Sequence, residues 1–322
     1  MTQSSALHVV LGGAGGVGRS LVQLLAAQGK RVRAVNRSGS IDGVGANVEL
    51  MAADLLQKER ALAACQDAAV IYHCAGVPYE RWAQDLPIIM DNVLAAAQAT
   101  GAVLVYADNC YMYAPTSQPM TESMPYAPGT KKGRVRKVLA EKALAVHQQG
   151  TARVTIGRAT TFYGPNVTVS TMGDQFFPAL IAGKSVNWFG PLDLPHAMTF
   201  VDDFANGLLT LGTHENALGQ AWHIPAAEPL TGRKYINLAS EMAGVTSKST
   251  IAPKPILQAL GIFNPTVREF VEMLYEYKEP YLIDGSKYHA SFGGTPTPHH
   301  DALQQTVAWY KRIAASPLAA AR

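Results

Sequence analysis

The run Leu11-Gly12-Gly13-Ala14-Gly15-Gly16-Val17-Gly18 carries the clearest chemistry in the chain. Glycines at 12, 15 and 18 permit a tight turn, let backbone amides approach an anion, and let a helix pack close to a strand. An apolar run, Leu7 to Leu11, precedes them, and a helical pattern with Leu21, Leu24 and Leu25 on one face follows, ending at Gly29. A glycine turn between strand and helix aims the helix N-terminus at a phosphate. Gly12, Gly15, Gly16, Val17 and Gly18 are therefore candidates to hold the pyrophosphate of a dinucleotide. The bland alternative is a glycine-rich turn that binds nothing.

Which dinucleotide is read at the end of the second strand, Val35-Asn36-Arg37. A carboxylate there would bind a ribose hydroxyl pair, whereas an Arg favours a 2′-phosphate. With Asn36 and Arg37 at that end, and Arg19 just after the last glycine, the pattern predicts NADP over NAD. Asp54, in Ala52-Ala53-Asp54-Leu55, could accept from an adenine amino group or could cap the next helix.

The elements that must position these residues alternate. Strand-like runs recur at Val32–Val35, Val48–Met51, Ala69–Tyr72, Val103–Tyr106 and Val154–Ile156, and the segments between them have helical period, including Trp82–Thr100 and Arg134–Gln149. Such alternation predicts an α/β fold, a Rossmann-type doubly wound parallel sheet. The Arg134–Gln149 helix reads as apolar along Val135, Val138, Leu139 and Val146, interrupted by Lys142. After Gly164 and Pro165 prolines punctuate shorter segments, which predicts a smaller mixed α/β C-terminal substrate domain. The expected division is 1–165 for the dinucleotide and 166–322 for the substrate, with about 200–225 returning to the sheet. Thr295–His300 reads as a surface loop, and its adjacent histidines do not make a metal site.

Net charge of +3, from 27 basic against 24 acidic residues, is too small and dispersed to predict nucleic-acid or membrane-surface partners. No apolar run reaches the roughly 18 to 20 residues that span a bilayer. Cys65, Cys74 and Cys110 form no Cys-x-x-Cys pair. That usage, with no export signal at the N-terminus, predicts a cytoplasmic protein acting on a small molecule.

Several landmarks together resemble the extended short-chain dehydrogenases and reductases, the NAD-dependent epimerase/dehydratase family. They are Leu11 to Gly18, Asp54-Leu55, Tyr72-His73-Cys74-Ala75-Gly76, Asp91-Asn92-Val93, Arg158 to Pro165 and Phe200-Val201-Asp202-Asp203, spanning about residues 7 to 210. Val32 to Arg37 is similar to the second-strand segment of the NADP-using reductases. The resemblance implies coenzyme contacts at Asp54, Leu55, Cys74, Ala75, Gly76 and Asn92.

It also implies a Tyr acid/base, a Lys four residues later and a Ser at the end of the fifth strand. Here Met112-Tyr113-Ala114 matches the family's Val-Tyr-Gly, which places the Ser position at Asn109. Lys137, with Glu141 four residues on, takes the Lys position, so the Tyr position falls on Gly133. The chain reads as an atypical member whose acid/base phenol is missing. Lys137 remains a candidate for the nicotinamide ribose. Asn109 and one of Tyr113, Tyr163, Tyr111 or Tyr126 are candidates to bind the substrate oxygen, although the resemblance gives Tyr113 and Tyr163 the shaping of the pocket wall before an acid role.

Cys110 could be a nucleophile or an inert buried thiol. Lys131, Lys132, Arg134 and Arg136 could hold an acidic substrate or form a solvated helix start. His196 could line a pocket or serve structure. The leading reading is an NADP-dependent reductase of a small carbonyl, imine or activated alkene. The alternatives are a nucleotide-sugar epimerase or dehydratase, which leans harder on the missing phenol, and a non-catalytic NADP(H) redox sensor. The Trp82–Thr100 and Arg134–Gln149 helices could pair across a homodimer or pack on the sheet.

Overall fold

A computed structural model describes residues 6–315 of the 322. Six strands form the chain's first half: β1 (Leu7–Leu11), β2 (Arg31–Asn36), β3 (Val48–Ala52), β4 (Ala68–His73), β5 (Val103–Asn109) and β6 (Arg153–Ala159). They pair in parallel in the order β6-β5-β4-β1-β2-β3, and the short strand Ala221–His223 extends the β6 edge to make seven. The order reverses between β1 and β4, the crevice where open sheets of this kind bind ligands.

Parallel strands are covered on both faces, which is why these runs are nearly all apolar. On one face α1 (Gly16–Ala27) and the helix Val201–Thr213 bury Leu21, Leu25, Phe204, Leu208 and Leu211 against Val10, Val70 and Val105. On the other, α2 (Lys58–Ala64), α3 (Trp82–Thr100) and α4 (Lys131–Gln148) cover Val9, Ile71, Leu104 and Ile156. A third cluster, with Phe177, Trp188, Tyr235, Leu303 and Tyr310, holds together the helices Phe177–Ile181, Gly232–Ala243 and His299–Ala314.

Two expectations need correction. α4 starts at Lys131, where Thr130 caps it by accepting from the Gly133 amide, so the basic residues lie inside its first turns. Its buried face is Lys132, Gly133, Leu139, Ala140 and Ala143, whereas Val138 is 55% exposed. Small residues face the sheet because α4 packs tightly, and Lys132 is drawn in by acids from the second half. The second correction concerns Thr295–His300: His299 opens the last helix and is buried, its ring held by Tyr163 and the Glu228 carbonyl. Only the residues before it run as a loop. Among the described residues no helix is long and apolar enough to cross a membrane, and no cluster of His, Cys, Asp or Glu could hold a metal.

Candidate functional site

The glycine turn is locked by its own backbone. Gly12 takes φ +83°, a left-handed value suited to glycine. The Gly12 and Gly13 amides both donate to the Val35 carbonyl at 2.9 and 3.0 Å, and the Gly15 amide donates to the Gly12 carbonyl at 3.1 Å. A Cβ on Gly12 would stand 2.6 Å from the Ala75 backbone, and one on Gly18 would stand 2.2 Å from the Gly12 carbonyl. The turn after β1 is thus pressed against Cys74 and Ala75 at the end of β4, at the reversal of strand order. Gly15 is the N-cap of α1 and brings no side chain to its first-turn amides. Those amides, at Gly16, Val17 and Gly18, have no partners within the helix and suit a phosphate.

At the end of β2 the Asn36 side chain braces the following loop: Oδ1 accepts from the Gly39 amide at 2.7 Å and Nδ2 donates to the Ser40 carbonyl at 2.8 Å. Arg37 is exposed and makes no hydrogen bond or ion pair among the described residues. Arg19 donates to the Asp42 carbonyl, while its Nε is buried without a partner among the described residues. Asp54 accepts from the Leu56 amide at 3.1 Å, a turn of its own, and α2 begins later with Gln57 as its cap. The capping reading of Asp54 thus gives way to a turn. Buried Asn92 donates to the Leu55 carbonyl at 2.8 Å and fixes that turn beside the crevice.

At the end of β5 the Asn109 Oδ1 accepts from the Tyr111 amide at 3.1 Å. Gly133 faces this loop. A Cβ there would lie 2.3 Å from the Tyr111 carbonyl oxygen and 2.6 Å from the Pro128 side chain, so this backbone has no room for a tyrosine at 133. Lys137 Nζ donates to the Tyr126 carbonyl at 3.1 Å and lies 3.8 Å from Glu141. The Tyr111 and Tyr79 hydroxyls meet at 3.1 Å beside Trp82, and burial pushes Tyr79 up to about 12.

The other candidate phenols are committed elsewhere. Arg158 is fully buried and donates to Asp108 at 3.2 Å, to the Tyr113 hydroxyl at 2.6 Å and to the Tyr126 hydroxyl. His223 Nδ1 faces the Met120 and Asp284 carbonyls at 3.1 and 3.2 Å. Those acceptors place its proton on Nδ1 and leave Nε2 to accept from Tyr113 at 2.8 Å. Burial and then the Arg158 charge pull His223 down to about 3, so it stays neutral. Tyr163 meets His299 Nδ1 at 2.8 Å in the second-half core. Both hydroxyls therefore end in histidine pairs, an arrangement that favours wall over acid.

The basic cluster is largely neutralised. Lys132 is buried against Glu269 and Glu272, and Arg136 donates to Tyr106 at 2.7 Å and lies over the Trp82 ring, leaving Lys131 and Arg134 at the surface. Cys110 is buried and burial pushes its thiol up, the inert alternative. His196 is stacked between Tyr277 and Tyr281, with ring centroids 4.5 and 5.0 Å away, bonds Thr161 at 2.9 Å, and is held neutral by burial, down to about 3.

One part of the site is absent from the sequence reading. A cavity of about 180 Å³ opens just beyond β5, between Cys110, Tyr113 and Met120 on one side and Tyr275, Glu276 and Tyr281 on the other. Glu276 is buried, its Oε1 has no partner among the described residues, and burial pushes its carboxyl up to about 8. The only local signal for it is a single acid between two tyrosines.

The model of the NAD dependent epimerase/dehydratase family matches residues 8–224. An uncharacterized protein of Sinorhizobium fredii is 25% identical, over 89% of this chain and 85% of its own length. Among solved structures, an epimerase from Methanothermobacter thermautotrophicus superposes with TM-score 0.82 at 18% identity, covering 97% of this chain and 94% of that one. UDP-glucuronic acid 4-epimerase from Bacillus cereus, in complex with NAD, does so at 0.78 and 18%, covering 95% and 97%. dTDP-glucose 4,6-dehydratase from Bacillus anthracis, also with NAD, follows at 0.77 and 17%, covering 96% and 97%. At such identity the superpositions speak for the fold, while the family match takes in most of the chain and every landmark from the glycine turn to Ala221–His223: this chain belongs to the NAD dependent epimerase/dehydratase family.

Proposed function

We propose that the protein is an NADP-dependent oxidoreductase that reduces a small carbonyl, imine or activated alkene. The observation that carries the coenzyme choice is the acid-free end of β2, where Arg37 is unengaged and the buried Arg19 Nε lacks a partner among the described residues. Two guanidinium groups there suit a 2′-phosphate, in contrast to the NAD held by the Bacillus epimerase and dehydratase. The residues fit the rest of the coenzyme: Gly12, Gly15, Gly16, Val17 and Gly18 would take the pyrophosphate, and Asp54 with Leu55 the adenine side. Cys74, Ala75, Gly76 and Asn92 would border the nicotinamide half, and Lys137 would reach its ribose. NADPH bound in this way supplies hydride chemistry.

Residues 1–165 would carry the coenzyme and 166–322 would complete the substrate pocket, with Asn109 offering its amide to the substrate oxygen. Tyr113 and Tyr163 would set the pocket's shape. A nucleotide-sugar epimerase or dehydratase is the second reading, favoured by the near full-length superposition on such enzymes. Closure of position 133 weighs against it, because that chemistry in the family leans on the phenol. A redox sensor would need neither Lys137 nor the cavity. Exposed Ile88 and Val138, on α3 and α4, are consistent with a homodimer.

Fluorescence titration with NADPH and NADH tests the coenzyme. NADPH is expected to bind about 10- to 100-fold more tightly, the worth of one charge-assisted contact, and Arg37→Asp to remove that preference. Equal affinity for both coenzymes would sink the NADP assignment. Sustained NADPH oxidation with any member of a carbonyl, imine and enone panel would exclude the sensor.

A further inference from the structure

The cavity beyond β5 has the makings of a receptor for one oxygen atom. A cavity of about 150 Å³ already admits benzene, so the 180 Å³ here holds a small organic molecule. Its walls are mostly apolar or aromatic, with Tyr113, Met120, Tyr275 and Pro280 among them. Two residues of this lining, Glu276 and Tyr281, each carry a buried oxygen, Oε1 and the hydroxyl, that has no hydrogen-bond partner among the described residues. Buried polar groups are almost always paired, so two orphans on residues that border one cavity point to something that enters it.

The charge state of Glu276 decides what that is. Lys278 and Glu279 also line the cavity, but their side chains are exposed, and Lys132 is held by Glu269 and Glu272. Burial alone therefore governs Glu276 and keeps its carboxyl protonated up to about pH 8. The groups around it stay neutral over the same range. Burial pushes up Cys110, Tyr111 and Tyr113 from the segment after β5, Tyr79 from the turn before α3, and Tyr275, Tyr277 and Tyr281 from its own segment. His196, behind it, is neutral with its value near 3. A protonated carboxyl and a phenol both donate, and two donors in a largely apolar pocket stabilise an oxygen that gathers negative charge.

We infer that Glu276 and Tyr281 together bind the carbonyl oxygen of a small, largely apolar aldehyde, ketone or enone and polarise its C=O bond. This rests on the reductase reading and selects the carbonyl from among its substrates. It also gives the missing phenol a substitute drawn from a segment more than a hundred residues away.

The probe is 4-dimethylaminobenzaldehyde, whose absorbance moves to the red when its carbonyl oxygen accepts hydrogen bonds, added to the full chain without coenzyme. A saturable red shift is expected at about pH 6, with affinity falling at least about tenfold as the pH rises through about 8 and the carboxylate forms. Glu276→Gln keeps a neutral donor and is expected to retain the shift without the pH step. Tyr281→Phe is expected to weaken binding about three- to tenfold at every pH, the worth of one hydrogen bond. No saturable shift in the wild type, the same pH step in Glu276→Gln, or unchanged affinity in Tyr281→Phe overturns the assignment. Circular dichroism melts confirm that each variant is folded. An NADPH titration of the same sample separates the two readings: failure to bind coenzyme with the probe shift intact defeats the reductase and leaves the oxygen site standing.

Discussion

Tyr113 stands between two buried polar groups of opposite character. On one side Arg158, Asp108, Tyr126 and His223 form a network around its hydroxyl in which no buried side-chain nitrogen or oxygen of these residues lacks a partner. On the other side Tyr113 lines the cavity bordered by Glu276 and Tyr281, each with an oxygen that has no partner among the described residues. A satisfied network stiffens the fold and asks nothing of a ligand, whereas each unpaired buried group costs about 1–3 kcal/mol. The difference marks which side keeps polar capacity for a ligand, in a region where both sides are rich in tyrosine and acid. Gly133 lets the Tyr111 loop close against α4, and on the proposed reading the polar capacity of the site lies across the cavity.

The largest expected effect comes from breaking the satisfied side. Arg158→Met removes the charge that Asp108, Tyr113 and Tyr126 are arranged around and leaves the buried Asp108 carboxylate only the longer contact to Arg136, at 3.4 Å, which costs up to about 3–5 kcal/mol. Urea denaturation should show that loss in the midpoint, and a change under about 1 kcal/mol would mean the network is not what holds this region.

Next is the pH dependence of the unsatisfied side. Glu276 stays protonated in the folded chain up to about pH 8, while the unfolded chain ionises it near the ordinary value of 4.5. Between those values the folded state binds more protons, so stability falls as the pH rises through that window and levels off above it. The loss attributable to this residue is on the order of a few kcal/mol. Glu276→Gln should remove that part of the slope, so that wild type and variant converge near about pH 4 and separate by about pH 9, the variant being more stable. Parallel curves from urea melts across this range would contradict a neutral buried carboxyl.

The two sides also differ in how far the sequence reveals them. The glycine turn between β1 and α1 and the ends of β2, β4 and β5 are legible as places in the fold because strand, turn and helix are local and their residue types answer local demands. α3 is legible to the residue for the same reason. The partners that decide the tyrosines are not local: Tyr113 meets His223 and Tyr163 meets His299, both more than a hundred residues on. The apolar face of α4 was misread because its burial depends on Glu269 and Glu272 reaching Lys132, and nothing in the helix's own spacing records that. Glu276 is a lone acid between two tyrosines in the sequence, and only its enclosure with residues from the end of β5 onward sets it apart.

The smallest effects give the sharpest contrast, because they come from the same chemical change on opposite sides of the cavity wall. Tyr113→Phe deletes an oxygen that accepts from Arg158 and donates to His223, and leaves both without it, at a cost of about 1–3 kcal/mol. Tyr281→Phe deletes an oxygen that has no partner among the described residues, so nothing in the protein is stranded. Its stability should be unchanged or raised by up to about 1 kcal/mol, since a buried hydroxyl without a hydrogen bond opposes folding. A residue whose loss stabilises the fold while weakening the carbonyl probe is one kept for binding at some expense of stability. Thermal melts of the two Phe variants side by side decide the matter: equal destabilisation would show that Tyr281 is bonded after all, and the contrast between the two clusters would fail with it.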